Sequence, residues 1–224
     1  MTRYIQRHSS LKRAIHMVHG VATVILFITG LFIFVPSLGR AAGDAMVYMH
    51  WVHRICGAIF IAAPLFGMLV SPKGAKHFWD THLAKWDADD VEFMKKFPMY
   101  LFAAKKMHMP KQRELKSGQR AADLGIVIFS VLIAISGVIL WVDPGQGTAL
   151  MTVARVLHGV AFIFMIVFFS GHVYLGSGLF QPYRNMGRVM FGDGKISESD
   201  ALYHWGYWAE DELKSGEKVS VIED

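Results

Sequence analysis

The sequence has a single cysteine, Cys56, among 224 residues. One thiol excludes an internal disulfide, a cysteine-held iron–sulfur cluster or zinc site, and a CxxCH motif for covalent haem attachment. Charged residues are also scarce, at 18% of the chain, whereas soluble domains have about 25%. Any redox metal must therefore be held by side chains other than cysteine, and lipid is indicated as the solvent.

Hydrophobic residues make up 53% of the chain and concentrate in four long runs. Each run reaches the roughly 20 residues that a helix needs to cross about 30 Å of hydrocarbon. The first run is longer than the apolar core of a signal peptide, so we expect a permanent helix there. The sequence predicts an all-α membrane protein, a four-helix transmembrane bundle with spans at about 14–36, 47–70, 122–142 and 154–180.

Lysine and arginine alternate in number between the segments that join these runs. Four precede the first run and eleven lie in the loop 71–120, whereas the two short loops hold one and none. The positive-inside rule then places both termini and the long loop in the cytoplasm. This bias explains the net charge of +5 without nucleic-acid binding. We predict a membrane domain over 1–182 and a cytoplasmic tail over 183–224, with a short docked helix and a frayed end.

Histidine is abundant, with eleven in the chain. Ionisable side chains inside a membrane are costly and commonly functional, and neutral imidazole is a ligand of haem iron. Six histidines lie in or at the edges of the apolar runs: His16, His19, His50, His53, His158 and His172. Four outside the runs are expected to be solvated: His77, His82, His108 and His204.

The fourth run carries the most specific spacing. His158 and His172 are 14 residues apart, which places them about 21 Å apart along a helix and on the same face. That separation suits two b haems, one near each membrane surface. The first run begins on the cytoplasmic side at His16 and the second on the outer side at His53. Depth alone predicts that His53 and His158 ligate an outer haem iron and that His16 and His172 ligate an inner one.

Glycines and arginines near the predicted ligands have the properties that bound haem requires. Gly30 and Gly67 each follow a predicted ligand by 14 residues, at the depth of the other haem, where a missing side chain leaves room for porphyrin. The general abundance of glycine in membrane helices explains them as well. Arg54 and Arg155 lie within a turn of the outer ligands and are predicted to pair with haem propionates.

Two alternatives stay open at this point. His19 and His50 lie one turn from His16 and His53, and they could be ligands or hydrogen-bond partners instead. A protein of another class, a haem-free helical transporter or scaffold, would use the same histidines for protons or packing. A dithionite-reduced minus oxidised spectrum separates that class from a cytochrome.

The sequence resembles the cytochrome b556 (gamma) subunit of membrane-bound respiratory formate dehydrogenases. That subunit belongs to a wider group of bacterial dihaem cytochromes b, which includes the membrane subunits of hydrogenases and thiosulfate reductases. The similarity covers nearly the whole chain, and the segment from Gly192 to Trp208 is similar to the formate dehydrogenase branch in particular. The matching pieces are Arg13-Ala14-Ile15-His16, His53-x-x-x-Gly57, Gly118-Gln119-Arg120, His158-Gly159 and His172.

The resemblance implies an electron-transfer subunit in the inner membrane of a bacterium. Electrons would come from a molybdenum or tungsten catalytic subunit through an iron–sulfur subunit on the outer face. They would pass through two b haems to a quinone, menaquinone or ubiquinone, near the cytoplasmic surface. The chain itself would have no catalytic residue for formate. Alternative assignments are the cytochrome b of a hydrogenase or of another molybdoenzyme, and a stand-alone transmembrane reductase.

The resemblance also implies a quinone site beside the inner haem. The residues carried over are His172, Gly118 and Gln119, and the family commonly has an asparagine at the position of Lys116. Asp123, one turn into the third span, is a candidate proton donor to the quinone. An acidic residue near a helix N-terminus is also explained by the helix dipole, so both interpretations of Asp123 stay open.

Overall fold

A computed structural model describes residues 2–103, 106–142 and 147–222. Ten α-helices, one 3₁₀ helix (Gly43–Ala45) and three strands are present in this part of the chain. In chain order the α-helices and strands are β1 (Thr2–Gln6), α1 (Ser10–Phe34), α2 (Pro36–Ala42), α3 (Met46–Val70), α4 (Pro72–His82), α5 (Ala88–Ala103), α6 (Ser117–Val142), α7 (Ala149–Gly176), α8 (Arg188–Phe191), β2 (Lys195–Ser197), α9 (Glu198–His204), α10 (Gly206–Ser215) and β3 (Val219–Ile222).

Four of these helices, α1, α3, α6 and α7, are long and apolar enough to cross a membrane. This confirms the prediction of four apolar spans in a multi-pass membrane protein. Their ends differ from the predicted ones by a few residues. Helix α1 begins at Ser10, where the Ser9 hydroxyl accepts a hydrogen bond from the Lys12 N–H at 3.3 Å, as an N-terminal cap does. Helix α7 ends at Gly176, four residues before the predicted end, and Gly178 then adopts a left-handed φ of 74°, which favours glycine.

The chain divides into two compact units. The first, which we call the helical unit, comprises Ala14–Pro72 and Gly125–Phe169, and therefore most of the four long helices. Its interior holds small and aromatic side chains such as Ala22, Ala161 and Phe162. Its outward side chains are apolar too, and many are more than half exposed. An apolar exterior is what helices surrounded by lipid require.

The second, which we call the polar unit, comprises Met1–Arg13, Lys73–Leu124 and Ser170–Asp224. It contains a three-stranded antiparallel sheet of order β2-β1-β3, so the N-terminal strand lies between two strands of the C-terminal segment. Ile5 is fully buried and packs with Ile196, Trp205 and Trp208. The prediction of a frayed C-terminal end is wrong over Val219–Ile222, because β3 pairs with β1 there.

Two of the four histidines that were predicted to be solvated are buried in the polar unit. His82 is 4% exposed and His204 is 5% exposed, so the prediction is wrong for both. Polar partners make their burial possible: His82 contacts Asp123 of α6, and His204 contacts Lys116. His77 and His108 are exposed, as predicted.

Candidate functional site

Two histidines of the helical unit face each other. His53 of α3 and His158 of α7 have ring centroids 6.3 Å apart, with ring planes at 67°. Metal–imidazole bonds are about 2 Å long, which puts two imidazole rings on opposite sides of one metal at centroid separations of about 6 Å. The observed separation therefore fits two axial ligands of one iron.

The hydroxyl groups of Thr29 and Ser136 fix both rings. Thr29 Oγ1 lies 2.8 Å from His53 Nδ1, and it donates its own hydrogen to the Ile25 carbonyl at 2.8 Å. A hydroxyl that donates to this carbonyl accepts from Nδ1–H of His53. The His53 ring then carries its proton on Nδ1 and keeps the lone pair of Nε2 available, which is the form that binds a metal.

Ser136 holds His158 in the same way. Its Oγ lies 3.0 Å from His158 Nδ1 and donates to the Leu132 carbonyl at 2.7 Å. Thr29 and Ser136 lie near the C-terminal ends of α1 and α6, whereas the two histidines lie near the N-terminal ends of α3 and α7. All four residues therefore meet at one end of the helical unit. Neither hydroxyl was predicted from the sequence; the available signal was a small polar residue directly before a glycine, in Thr29-Gly30 and Ser136-Gly137.

Removing these hydroxyls should weaken metal binding without disturbing the helices. We expect Thr29→Val and Ser136→Ala each to lower the affinity for haem by about 10- to 100-fold, the usual cost of losing a partner that orients a histidine ligand. Haem titration of the haem-depleted protein measures this. Ser130→Ala is the matched control, because Ser130 lies on the same helix and its hydroxyl contacts Met165 Sδ at 3.8 Å. An equal loss in all three variants would contradict the assigned role.

Glycines provide the space in which the two rings lie. A Cβ on Gly30 would lie 3.4 Å from His53 Cε1 and 3.4 Å from Phe162 Cε2. A Cβ on Gly137 would lie 3.1 Å from His158 Cε1, closer than such atoms normally approach. Gly137, which the sequence analysis did not single out, therefore leaves less room for a side chain than Gly30 does.

The donor set itself indicates which kind of metal group fits. In the described part of the chain, no group of three or more histidine, cysteine, aspartate or glutamate side chains is placed to hold a metal ion. Two opposed imidazoles alone suit an iron whose other ligands come from a macrocycle. The site formed by His53 and His158, which we call the outer site after its predicted orientation, thus fits a haem, with these two residues as the ones that would hold it.

The remaining predicted ligands lie in different units. His16 lies in the helical unit and is exposed, and His172 lies in the polar unit and is exposed. Their pairing stays a prediction. Gly67 of α3 packs against α1 at Ile15, the residue before His16: a Cβ on Gly67 would lie 3.4 Å from Ile15 Cδ1.

His19 and His50 were the open alternatives. His19 stacks on Phe60 with centroids 4.4 Å apart, and its Nδ1 lies 3.1 Å from the Phe60 carbonyl. Its contacts are therefore with α3, and the choice between His19 and His16 as the inner ligand stays open. His50 is exposed, and it is His53 that lies opposite His158. At the outer site the geometry favours His53 over His50.

The two arginines predicted to pair with haem propionates are close in sequence to the histidines of the outer site: Arg54 follows His53, and Arg155 lies three residues before His158. Arg54 is half-buried, and its guanidinium lies 5.7 Å from the centre of the Trp51 ring, within the range of a cation–π contact. Arg155 is exposed on α7. Their pairing with haem propionates stays a prediction.

Three of the four residues predicted to bind quinone, Gly118, Gln119 and Asp123, lie at the start of α6, and His172 lies in α7; all four belong to the polar unit. Gln119 is exposed. Gly118 packs against α5, because a Cβ there would lie 3.5 Å from ring atoms of Phe93 and of Phe97. Asp123 is hydrogen-bonded to His82 at 3.2 Å. A role of these residues in quinone binding stays a prediction.

Lys116, one residue before α6, is buried inside the polar unit. It is 3% exposed, and its Nζ lies 2.6 Å from Tyr183 Oη and 2.9 Å from His204 Nδ1. The rings of Tyr183 and Trp205 lie 4.2 Å and 5.0 Å from the same Nζ, as in a cation–π site. Burial lowers the pKa of Lys116 well below its usual value.

His204 makes the polar unit sensitive to acid. Burial first, and then the charge of Lys116, lowers the pKa of His204 far below 6.5. Below about pH 6.5 the unfolded chain therefore binds a proton that the folded chain does not, so stability falls as the pH falls, by up to about 1.4 kcal/mol per pH unit. We expect the C-terminal segment to become markedly more sensitive to protease between about pH 6.5 and pH 5.

The His204→Gln variant tests this cause. It removes the titrating group, so its protease sensitivity should change less over the same pH interval, whatever its absolute stability. A protease that is active across the interval, with fragments identified by mass spectrometry, measures both proteins. Equal pH dependence in the variant and the parent would contradict the assignment to His204.

Comparison with known families agrees with this geometry. Residues 7–185 match the model of the family described as prokaryotic cytochrome b561. A comparison with curated proteins gives no match. The matched segment covers most of the chain and includes all four long helices and both histidines of the outer site. The chain is therefore a member of the prokaryotic cytochrome b561 family, a multi-pass membrane cytochrome with b-type haem that acts in electron transfer.

Proposed function

We propose that the chain is the membrane subunit of a respiratory formate dehydrogenase and passes electrons from an iron–sulfur subunit to quinone. The observation that carries this proposal is the His53–His158 pair, in which both rings present Nε2 and are held through Nδ1. When bound between two imidazoles, haem supplies one-electron transfer without an open position for substrate. Such a site suits a relay and not a catalyst of formate oxidation.

The protein's part in the relay is to hold the ligands rigidly. The hydroxyls of Thr29 and Ser136 fix the orientation of the two rings, and fixed ligands keep rearrangement small when charge changes. Helix α7 is continuous from Ala149 to Gly176 and carries both His158 and His172. About 21 Å separates these positions along the helix, which supports a second haem held by His172 and His16.

The distribution of lysine and arginine supports a cytoplasmic location for both termini. The end of the helical unit that holds His53 and His158 would then face outward, and electrons would enter there. His172 would lie at the cytoplasmic end, where the quinone would be reduced. Protons for the quinol would come from the cytoplasm, so that electron transfer builds a membrane potential.

The start of α6 supports quinone binding near this inner end. Gln119 is exposed, whereas Lys116 is directed into the polar unit toward Tyr183 and His204. Gln119 is therefore the polar side chain that is available to a quinone oxygen, and Gly118 fits closely against α5. His172 and Asp123 complete the proposed site.

Purification from the native membrane tests this function. We expect the chain to copurify with an iron–sulfur subunit and a molybdenum or tungsten subunit, and the preparation to reduce a menaquinone or ubiquinone analogue with formate. The His172→Ala variant should lose quinone reduction. Copurification with a hydrogenase would overturn the formate dehydrogenase assignment and keep the electron-transfer role. A preparation without haem would overturn both.

A further inference from the structure

A buried histidine–carboxylate pair lies at the start of α6 in the polar unit. His82, the last residue of α4, is 4% exposed, and its Nε2 lies 3.2 Å from Asp123 Oδ2. The Asp123 side chain is 20% exposed, so the pair has one buried member and one member that reaches the surface of the unit. The outer haem site does not use either residue.

The hydrogen bonds of His82 determine the number of protons in the pair. Its Nδ1 lies 2.7 Å from the Phe78 carbonyl. A carbonyl oxygen only accepts, so Nδ1 must carry a proton. A neutral imidazole would then face Asp123 with an unprotonated Nε2, which cannot bond to an ionised carboxylate, because both are acceptors. The 3.2 Å contact therefore requires one further proton, on Nε2 of His82 or on the carboxyl of Asp123.

The surrounding groups hold His82 in place. The Phe78 ring packs on the His82 ring with centroids 3.9 Å apart. The Arg120 guanidinium donates to the His82 carbonyl at 3.4 Å and is paired with Asp90 at 3.2 Å. From α1, Lys12 interacts electrostatically with the carboxylate of Asp123. Among the described residues, Lys12, Arg120 and Asp90 are charged groups that interact with the pair or with a neighbour of it, and the positive charge of Lys12 favours the form in which Asp123 is ionised and the proton lies on His82.

We propose that His82 and Asp123 form a proton-loaded pair that protonates the quinone; this rests on the proposed function. Reduction of a quinone to a quinol takes two electrons, which the haem relay supplies, and two protons. The proton held on His82 Nε2 passes to Asp123 and from Asp123 to a quinone oxygen, which leaves the pair without its extra proton, and the pair is reloaded from cytoplasmic water before the second proton is given. Asp123 is the donor, and His82 is a positioning residue that keeps the donor loaded.

The pH profile separates the two roles. The chain, purified with its haems, is reduced with dithionite and mixed with a short-chain naphthoquinone, and haem oxidation is followed by stopped flow from about pH 5 to pH 8. At neutral pH we expect Asp123→Asn and His82→Gln each to slow haem oxidation at least tenfold, because general acid catalysis contributes about 100-fold or more. Acid should restore the His82→Gln variant, because the carboxyl of Asp123 can then take its proton directly from water, and should not restore Asp123→Asn, which has no carboxyl.

His77→Gln is the matched control. His77 lies on the same helix and also contacts a carboxylate, Glu114 at 2.7 Å, but its side chain is 60% exposed. We expect the rate of haem oxidation in this variant to equal that of the parent at every pH. Parent-like rates in the His82 and Asp123 variants would overturn the proposal, as would a loss in His82→Gln that acid does not restore.

A second measurement does not depend on quinone. Infrared pH-difference spectra of the oxidised chain should contain a histidine–carboxylate signal that disappears in both His82→Gln and Asp123→Asn and persists in His77→Gln. Absence of that signal from the parent would overturn the proton-loaded pair. If the parent shows the signal but never reduces the naphthoquinone, the proposed function fails while the pair stands.

Discussion

Replacing His158 with alanine is expected to remove one of the two proposed haems from the purified chain. His158 and His53 face each other at 6.3 Å, and each presents a single Nε2. Loss of either nitrogen would leave a single imidazole of this pair to hold the iron. The ratio of haem to protein, measured by the pyridine haemochrome method, should fall from about two to about one.

The neighbouring histidine provides the control. His50 lies one turn before His53 and is exposed, so His50→Ala should keep the full haem content and the parent spectrum. His53→Ala should repeat the result of His158→Ala. A full haem complement in either of these two ligand variants would show that the outer site has been assigned to the wrong residues.

Replacing Arg120 with methionine is expected to destabilise the polar unit severely. Arg120 and Asp90 are 3% and 5% exposed, and their side chains are 3.2 Å apart. Asp90 also accepts from the Ser117 hydroxyl at 2.6 Å, at the start of α6. Methionine fills a similar volume but leaves the carboxylate buried without its cation. Breaking a buried pair in this way costs about 3–5 kcal/mol, and denaturant unfolding in detergent, followed by tryptophan fluorescence, measures the loss.

An exposed ion pair of the same unit serves as the comparison. Arg113 and Asp87 are 3.1 Å apart, with side chains 70% and 40% exposed. Arg113→Met should change the free energy of unfolding by less than about 1 kcal/mol. If both methionine variants unfold at the same denaturant concentration, the Arg120–Asp90 pair does not hold the start of α6 in place.

The four apolar helices and the meeting of His53 with His158 could be predicted from the sequence. A run of about 20 apolar residues has few alternatives to a membrane helix. Two histidines at the same membrane depth on antiparallel helices must then lie close together if both ligate one metal. Both arguments use only length, charge bias and helix geometry, which a single sequence contains.

The hydroxyls that hold these histidines could not be predicted in the same way. Serine and threonine in membrane helices commonly bond to a carbonyl of the preceding turn, and Thr29 and Ser136 do so here. Only the helix packing shows that the same oxygens also accept from the histidine rings. The rotation of α1 and α6 about their axes determines this, and apolar residues on all sides of these helices hide that rotation.

The sheet of the polar unit was hidden for another reason. Strand β1 pairs with β3 in a register that joins Thr2 to Ile222, and strands of three to five residues leave little alternation to detect. His82 and His204 were wrongly predicted to be solvated because their carboxylate and amine partners, Asp123 and Lys116, are distant in sequence. A polar side chain can be buried when it has such partners. The position of a histidine relative to the apolar runs does not show which residues those partners are.

Low-temperature electron paramagnetic resonance of the oxidised, purified chain tests whether His53 and His158 ligate one haem iron. If His53 and His158 hold one iron between them, the ferric signal of that haem must be low-spin, with the anisotropy of two imidazole ligands, and it must disappear in His158→Ala. A colourless preparation, or a high-spin signal that His158→Ala leaves unchanged, would contradict the account.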